Sequence, residues 1–282
     1  MKLITTRTEM TQIIKQLKSN SNTIGFVPTM GYLHEGHMSL VDKSRQQNDI
    51  TIMSIFVNPM QFGPSEDFET YPRDLERDQS LAANAGVDYI FAPSVTEMYP
   101  EEMGNHLSVV KRANVLCGKS REGHFDGVVT VLSKLFHIIL PDRVYFGLKD
   151  AQQVAVVDGL IQDYFFPIEL IPVATVREND GLAKSSRNVY LTESERKEAS
   201  QLYQSLLSAK NAISDGERMV EKVADLIKEH IEKNTNGSLD YVEIYSYPSL
   251  IPLETINGKI IIAVAVKFSK ARLIDNIILD IE

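Results

Sequence analysis

Short apolar runs alternate with amphipathic stretches up to about residue 175. The runs at 23–27 and 50–57 are apolar at nearly every position, which is typical of strands that are covered on both faces of a sheet. Further strands are predicted at 87–91, 143–146 and 168–171, and helices at 8–17, 36–47, 72–85, 127–140 and 150–163. This alternation predicts an α/β fold with a doubly wound parallel sheet.

The pattern changes in the last hundred or so residues. Helices are predicted there at 193–213 and 217–231, followed by strands at 239–245, 259–266 and 271–279. The short gap between the last two strands is consistent with an antiparallel hairpin. We therefore predict two domains, a larger one over residues 1–177 and a smaller C-terminal α+β domain over 178–282.

Composition narrows the class of protein. The chain has 282 residues and a net charge of −9, which argues against nonspecific nucleic-acid binding because that depends on cationic surface. Cys117 is the single cysteine, so an internal disulfide and a cysteine-based zinc site are excluded. The longest apolar run, 128–140, is too short to span a bilayer, and the N-terminus has no recognisable secretion signal. We expect a cytoplasmic protein without membrane or nucleic-acid partners.

The stretch PTMGYLHEGH, residues 28–37, joins a predicted strand to a predicted helix. Ligands of open parallel sheets bind at the carboxyl ends of strands, where this turn lies. Gly31 permits close approach of the backbone to a ligand, and His34 and His37 lie near a helix N-terminus, which favours anions. Their imidazoles would donate hydrogen bonds to phosphate oxygens and, when protonated, offset charge on a leaving group. Two alternatives stay open: the histidines cap and pack around the turn, or they bind zinc with a third ligand that is not obvious nearby.

Five further stretches place polar groups at predicted turns. They are FVNPMQFG (56–63), DFETYPRD (67–74), REGHFDGV (121–128), YFGLKDAQQ (145–153) and VRENDGLAKSSRN (176–188). The amide of Gln61 has no role in a turn and suits a small hydroxy acid, whereas Lys149 suits a phosphate. Asp150 accepts hydrogen bonds from a ribose, caps the next helix, or does both. The acidic residues of 67–74 are more typical of the solvated start of a helix than of a metal site. For His124 the sequence favours a packing role over a catalytic one.

Together the six stretches resemble the motifs of the pantoate–β-alanine ligase family, a branch of the HxGH nucleotidylyltransferase superfamily. The usual family forms include PTMGALHEGH, RPGHFxGV, FGEKDxQQ and VREADGLAMSSRN. This chain departs from them at Tyr32, Glu122, Leu148 and Lys184. The resemblance runs over residues 28–191 in the family's order and implies a Rossmann-like first domain.

The resemblance also implies an activity and a set of roles. It implies an ATP-dependent ligase that condenses pantoate with β-alanine through a pantoyl adenylate, releasing AMP and pyrophosphate. Catalysis would rest on His34, His37 and Lys149. ATP would contact Met30, Gly31, His34, His37, Gly147, Lys149, Asp150, Val176, Lys184, Ser185, Ser186 and Arg187. Pantoate and β-alanine would contact Met30, Asn58, Gln61 and Gln153. Mg²⁺ would accompany ATP without a dedicated protein metal site, and the chain would form a homodimer.

Two rival functions are less well supported by the sequence. A nucleotidylyltransferase that keeps the nucleotide on its product would not need the stretches at 56–63 and 145–153. A noncatalytic nucleotide sensor could lose its phosphate-binding residues, which are intact here.

The stretch KSSR at 184–187 has a composition that is common in solvated linkers. Its place at the predicted domain boundary favours a closing lid instead.

Overall fold

The computed structural model describes residues 1–64, 66 and 68–282, and the chain divides into two compact units. The first unit comprises Met1–Leu148 and Val156–Ala174, and the second comprises Lys149–Ala155 and Thr175–Glu282. Asp67, which opens the stretch 67–74, lies outside the described residues. Within the described chain, no helix combines the length and the apolar character needed to cross a membrane.

A parallel sheet forms the centre of the first unit and confirms the predicted α/β fold. Its strands are β1 Lys2–Ile4, β2 Ile24–Thr29, β3 Ile50–Ile55, β4 Tyr89–Phe91, β5 Arg143–Gly147 and β6 Glu169–Val173. The helices along this part of the chain are α1 Arg7–Ser19, α2 Glu35–Gln47, α3 Leu75–Asn84, α4 Val95–Met98, α5 His124–Ile139 and α6 Ala151–Asp163. The pattern did not predict β1 or α4, because three or four residues are too few to show a period.

The strand order places two predicted ligand-binding segments at neighbouring strand ends. The order is β1-β4-β3-β2-β5-β6, with every neighbouring pair parallel. Because β2 pairs with β3 on one side and β5 on the other, the winding direction reverses between β2 and β5. The turn that carries His34 and His37 follows β2, and Gly147 ends β5. The site is therefore expected at this edge of the sheet.

The second unit contains an antiparallel sheet and helices, as predicted. Its strands are β7 Ser238–Ser246, β8 Gly258–Lys267 and β9 Arg272–Ile281, and its helices are α7 Glu193–Ala199, α8 Gln201–Ser214 and α9 Val220–Asn234. The sheet order is β7-β8-β9, and β8 and β9 form the expected hairpin. Apolar side chains at helical spacing on α8 and α9 are buried in one cluster with alternate residues of β8.

Several predicted helix boundaries were wrong. The helix predicted over 127–140 begins at His124, and the one predicted over 217–231 runs over Val220–Asn234. Two further differences have a local cause. The helix predicted over 193–213 is interrupted at Ser200, whose hydroxyl donates to the carbonyl of Lys197 at 3.0 Å. Such a local side-chain bond competes with the helical pattern. The helix predicted from residue 72 begins at Leu75, because the Asp74 carboxylate caps it by accepting the Arg77 N–H at 3.1 Å.

Candidate active site

Helix α3 holds the turn that follows β2. Gly31 and Tyr32 both have left-handed backbone, with φ of +87° and +50°. The buried Asp78 carboxylate accepts the N–H groups of Tyr32 and Leu33, each at 2.7 Å, through different oxygens. Burial raises the pKa of Asp78, and these two hydrogen bonds oppose that shift. Arg77 adds a hydrogen bond to the Leu33 carbonyl at 2.9 Å, so α3 fixes the backbone that leads into His34.

The two histidines of the turn cap helix α2 through their Nδ1 atoms. His34 Nδ1 accepts the Gly36 N–H at 3.1 Å, and His37 Nδ1 accepts the His34 N–H at 3.2 Å. The ring centroids lie 4.1 Å apart. Because Nδ1 is an acceptor in both rings, the hydrogen of each neutral imidazole is on Nε2. The capping interpretation is therefore confirmed, and it uses a different nitrogen from the one that can donate to a phosphate. The imidazolium form would need a hydrogen on Nδ1 and would break these caps.

The stretch 56–63 forms a buried amide group beside the turn. Asn58 is only 1% exposed, and its Nδ2 donates to the Gln61 Oε1 at 3.2 Å and to the Gly127 carbonyl at 3.0 Å. Gln61 Nε2 in turn contacts Met30 Sδ at 3.0 Å. The structure thus brings together Met30, Asn58 and Gln61, three of the residues predicted to bind substrate.

His124 supports the main chain of Gln61. Its Nδ1 lies 2.8 Å from the Gln61 carbonyl, and its Nε2 lies 3.0 Å from Arg121 Nη1. A guanidinium can only donate, so Nε2 is the acceptor and Nδ1 carries the hydrogen that binds Gln61. Arg121 also forms a double hydrogen bond with Glu66, at 2.6 Å for each pair of atoms. This agrees with the packing role that the sequence favoured for His124.

A cavity of about 280 Å³ lies at the carboxyl end of β3, next to the turn. Met30, Gly31 and Phe56 line it together with Asp74 and Asp78 of the α3 segment. Met30 therefore borders both this cavity and the Gln61 amide. Most of the other lining residues are apolar, so the cavity suits a small ligand with an apolar body.

In the second unit, strand β9 anchors two predicted nucleotide-binding segments. Asn276 Nδ2 donates to the main-chain carbonyl of Lys149 at 2.9 Å. Asp275 is 3% exposed and accepts two hydrogen bonds from the Arg177 guanidinium, at 2.6 and 2.9 Å. Arg177 directly follows Val176, so the sheet fixes the start of the stretch 176–188.

The stretch 176–188 folds back on itself within this unit. The Lys184 N–H donates to the Val176 carbonyl at 2.9 Å, and Lys184 Nζ lies 3.9 Å from a carboxylate oxygen of Glu178. The Ser185 hydroxyl accepts the Arg187 N–H at 3.3 Å at the start of the short turn Ser186–Tyr190. Four of the predicted phosphate-binding residues therefore lie within one compact loop.

The remaining predicted residues lie near the start of α6. Lys149 Nζ is 3.6 Å from an Asp150 carboxylate oxygen, and Gln153 lies on the first turn of α6, half-buried. A Cβ atom on Gly147 would meet no heavy atom within 4 Å, so the space beside its backbone is open.

Four residues that support the site were not predicted from the sequence: Asp78, Tyr99, Asp275 and Asn276. A signal was present for Asp78, because it occupies the same buried face of α3 as Ala82, four residues later. The pair Asp275-Asn276 also interrupts the apolar run of a strand. Tyr99 gave no signal, since its partner Asn58 lies 41 residues away in the chain.

Known proteins resemble this chain over nearly its whole length. The family model of pantoate-beta-alanine ligase matches residues 2–278. The pantothenate synthetase of Bacillus subtilis (strain 168) is 62% identical over 281 residues, which are 100% of this chain and 98% of the relative. That of Geobacillus sp. (strain WCH70) is 61% identical over 280 residues, 99% of each chain.

Two solved structures share the fold. The pantothenate synthetase of Thermus thermophilus superimposes with a TM-score of 0.93 at 43% identity, covering 98% of this chain and 99% of the other. The pantoate-beta-alanine ligase of Francisella tularensis, solved in complex with beta-gamma ATP and beta-alanine, has a TM-score of 0.80 at 35% identity, covering 98% and 97%. With the family model and these relatives in agreement, this chain belongs to the pantoate–β-alanine ligase family.

Proposed function

We propose that this chain condenses pantoate with β-alanine in two steps that consume ATP. A carboxylate oxygen of pantoate attacks the α-phosphorus, the bond to the β-phosphate breaks, and pyrophosphate leaves with the electron pair. The β-alanine amine then attacks the acyl carbon of pantoyl adenylate, loses a proton, and expels AMP. The observation that carries this proposal is the pair of Nε2–H imidazoles at the N-terminus of α2, at the reversal point of the sheet.

His34 and His37 act in the first step as neutral hydrogen-bond donors. Their Nδ1 atoms are engaged in the helix caps, so each ring offers its Nε2–H to phosphate oxygens. The positive end of the α2 dipole also attracts the negatively charged phosphates. Fixed donors of this kind stabilise the charge that grows on the departing pyrophosphate, without a charged imidazole.

Pantoate binds at Gln61 and Met30 in this proposal. The predicted substrate residue Asn58 instead holds Gln61 in place, because its buried amide is fully engaged with protein groups. The Gln61 Nε2 group is a donor for the oxygens of pantoate, and Met30 and Phe56 present an apolar wall in the adjoining cavity. Gln153 provides a second amide for the same substrate. The match between an amide, an apolar wall and a hydroxy acid supports this assignment.

In this proposal, the stretches 147–150 and 176–187 bind the nucleotide. Lys149 would offset charge at the α-phosphate, and Lys184, Ser185, Ser186 and Arg187 would hold the β- and γ-phosphates. Gly147 and Asp150 would face the ribose, and Val176 the adenine. The anchoring of the Lys149 main chain and of Arg177 on β9 supports these roles, because binding to groups that are already ordered costs less conformational entropy.

Mg²⁺ is included as the usual companion of ATP. It keeps several waters and is commonly held by substrate phosphates with few protein ligands. In the described part of the chain, no group of three or more His, Cys, Asp or Glu residues is arranged to hold a metal ion. The ion would lower the negative charge of the triphosphate. The homodimer and the cytoplasmic location stay predictions.

The function is tested by measuring pyrophosphate release from ATP and magnesium with D-pantoate, with and without β-alanine. We expect pantoate-dependent pyrophosphate, and AMP with pantothenate only when β-alanine is present. Pyrophosphate formed with another acceptor but not with pantoate would instead indicate a nucleotidylyltransferase of different specificity. Bound ATP without any pyrophosphate would indicate a nucleotide sensor. Lys149→Ala, which removes a proposed phosphate contact, serves as the inactive control.

A further inference from the structure

We propose that Tyr99 is a positioning residue for pantoate: through Asn58, its hydroxyl fixes the direction in which Gln61 presents its amide. This inference rests on the proposed role of Gln61 in binding pantoate. Tyr99 follows the short helix α4 and is distant in sequence from the stretch 56–63. Its hydroxyl lies 2.8 Å from Asn58 Oδ1.

The orientation of the Asn58 amide follows from two backbone groups. Oδ1 lies 3.3 Å from the Met60 N–H, which can only donate, and Nδ2 lies 3.0 Å from the Gly127 carbonyl, which can only accept. The oxygen and nitrogen of Asn58 are therefore not interchangeable. Because Oδ1 can only accept, the Tyr99 hydroxyl must be the donor in its bond to Asn58.

The orientation of the Gln61 amide follows from that of Asn58. Asn58 Nδ2 is a donor, so the Gln61 atom that faces it at 3.2 Å must be the oxygen, Oε1. Gln61 Nε2 then lies on the other side, toward Met30 Sδ. Gln61 therefore offers hydrogens to its ligand, and the ligand atom bound there must be an acceptor, such as a hydroxyl or carboxylate oxygen. If the Gln61 amide were reversed, its oxygen would face the oxygen acceptors of the substrate, and no hydrogen bond could form between them.

Tyr99 is the stronger of the two donors that hold Asn58 Oδ1. Its contact of 2.8 Å is shorter than the 3.3 Å contact of the Met60 N–H. The ring of Tyr99 is itself held, because Lys134 Nζ lies 4.3 Å from its centroid and donates to the Met98 carbonyl at 2.7 Å. Burial raises the pKa of Tyr99 to about 12, so the hydroxyl keeps its hydrogen throughout the neutral range.

The test compares Tyr99→Phe with Tyr145→Phe. Tyr145 also lies in the first unit, and its hydroxyl donates to Gln47 Oε1 at 3.0 Å and accepts from Asn48 Nδ2 at 2.7 Å. The control therefore also loses a hydrogen bond that a tyrosine donates to a side-chain amide oxygen. Steady-state pyrophosphate release gives the KM for pantoate and for ATP, and thermal melting confirms that both variants fold. For Tyr99→Phe we expect the pantoate KM to rise about five- to tenfold, with the ATP KM unchanged within about twofold. The control should change neither.

A double variant separates positioning from general stability. In a Gln61→Ala background, Tyr99→Phe should cause no further rise in the pantoate KM, because the group it orients is gone. The inference is overturned by an unchanged pantoate KM in Tyr99→Phe, by equal shifts in the two Tyr→Phe variants, or by full additivity with Gln61→Ala. Wild-type protein without pantoate-dependent activity would instead overturn the proposed function, and this inference with it.

Discussion

A methyl group added at Gly127 should disturb the proposed pantoate site, although Gly127 itself is not one of the residues proposed to contact pantoate. Gly127 lies in the first turn of α5, where its backbone passes directly under the stretch 56–63. A Cβ atom there would lie 2.2 Å from the Met60 carbonyl oxygen and 2.7 Å from the Gln61 nitrogen. Both are backbone atoms, so the clash cannot be relieved by a rotamer change. The segment would have to retreat by roughly 1 Å to restore normal contact.

The energetic effect can be separated from helix propensity by a matched variant. Overpacking of this kind costs about 1–3 kcal/mol, and replacing glycine by alanine in a helix returns about 1 kcal/mol. Gly159 lies inside α6, and a Cβ atom there would have its nearest contact at 3.4 Å, with the end of the Arg112 side chain. Gly159→Ala therefore gains propensity without the backbone clash. The difference between the two variants measures the overpacking, about 1–3 kcal/mol.

Urea unfolding measures the change in stability, and pantoate kinetics measure the effect on the proposed pantoate site. We expect Gly127→Ala to unfold at lower urea than wild type, and Gly159→Ala at equal or higher urea. The pantoate KM should rise several-fold in Gly127→Ala only, because Asn58 bonds to the Gly127 carbonyl and moves with it. Wild-type stability and wild-type pantoate KM in Gly127→Ala would refute the reasoning.

Three further predictions follow from the caps and ion pairs. His34→Asn keeps a capping acceptor but removes Nε2–H, so the melting temperature should stay near that of wild type while pyrophosphate release falls at least about a hundredfold. His34→Ala should also lose about 1 kcal/mol of stability, because it removes the cap. Normal turnover in His34→Asn would contradict the donor role. Asp275→Asn leaves the Arg177 guanidinium without its buried partner, so calorimetry should show a loss of about 3 kcal/mol; unchanged unfolding would contradict the pairing. Hydrogen bonds from the Thr192 and Ser269 N–H groups lower the pKa of Glu195 from 4.5 to about 2. The ionised carboxylate therefore stabilises the folded protein above pH 4.5, and this contribution is lost as the pH falls from 4.5 to about 2. Melting curves of wild type and Glu195→Gln should therefore converge on acidification, and a constant gap would count against that cap.

The turn 28–37 shows which features of the candidate site could be predicted from local sequence. Its place after a buried strand, its Gly31 and its two histidines near a helix N-terminus are all local features, and the sequence predicted a phosphate site from them. The protonation state was not accessible, because it depends on which ring nitrogen each backbone N–H reaches. The sequence allowed an imidazolium there, and the structure favours neutral rings. Tyr32, which departs from the family form, lies with its ring 5.0 Å from the Arg77 guanidinium, a contact with α3 that local sequence did not indicate.

The supporting residues were missed for a different reason. Asp275 and Asn276 lie in the last strand, yet their partners Arg177 and Lys149 precede them by about a hundred residues. Local periodicity identifies a strand but not the side chains that meet across such distances. The same holds for Tyr99 and Asn58. What the sequence predicted is therefore the groups proposed to touch substrates, and what it missed is the groups that hold them in place.

Pantoate labelled with a heavy oxygen isotope in its carboxylate tests the central claim most directly. If the carboxylate attacks the α-phosphorus, one labelled oxygen must pass to AMP when β-alanine displaces it, and the other must remain in the amide of pantothenate. Mass spectrometry of a single-turnover mixture should therefore find label in AMP and none in pyrophosphate. Label in inorganic phosphate together with ADP would show attack at the γ-phosphorus, and would contradict the adenylate and the roles assigned to His34 and His37.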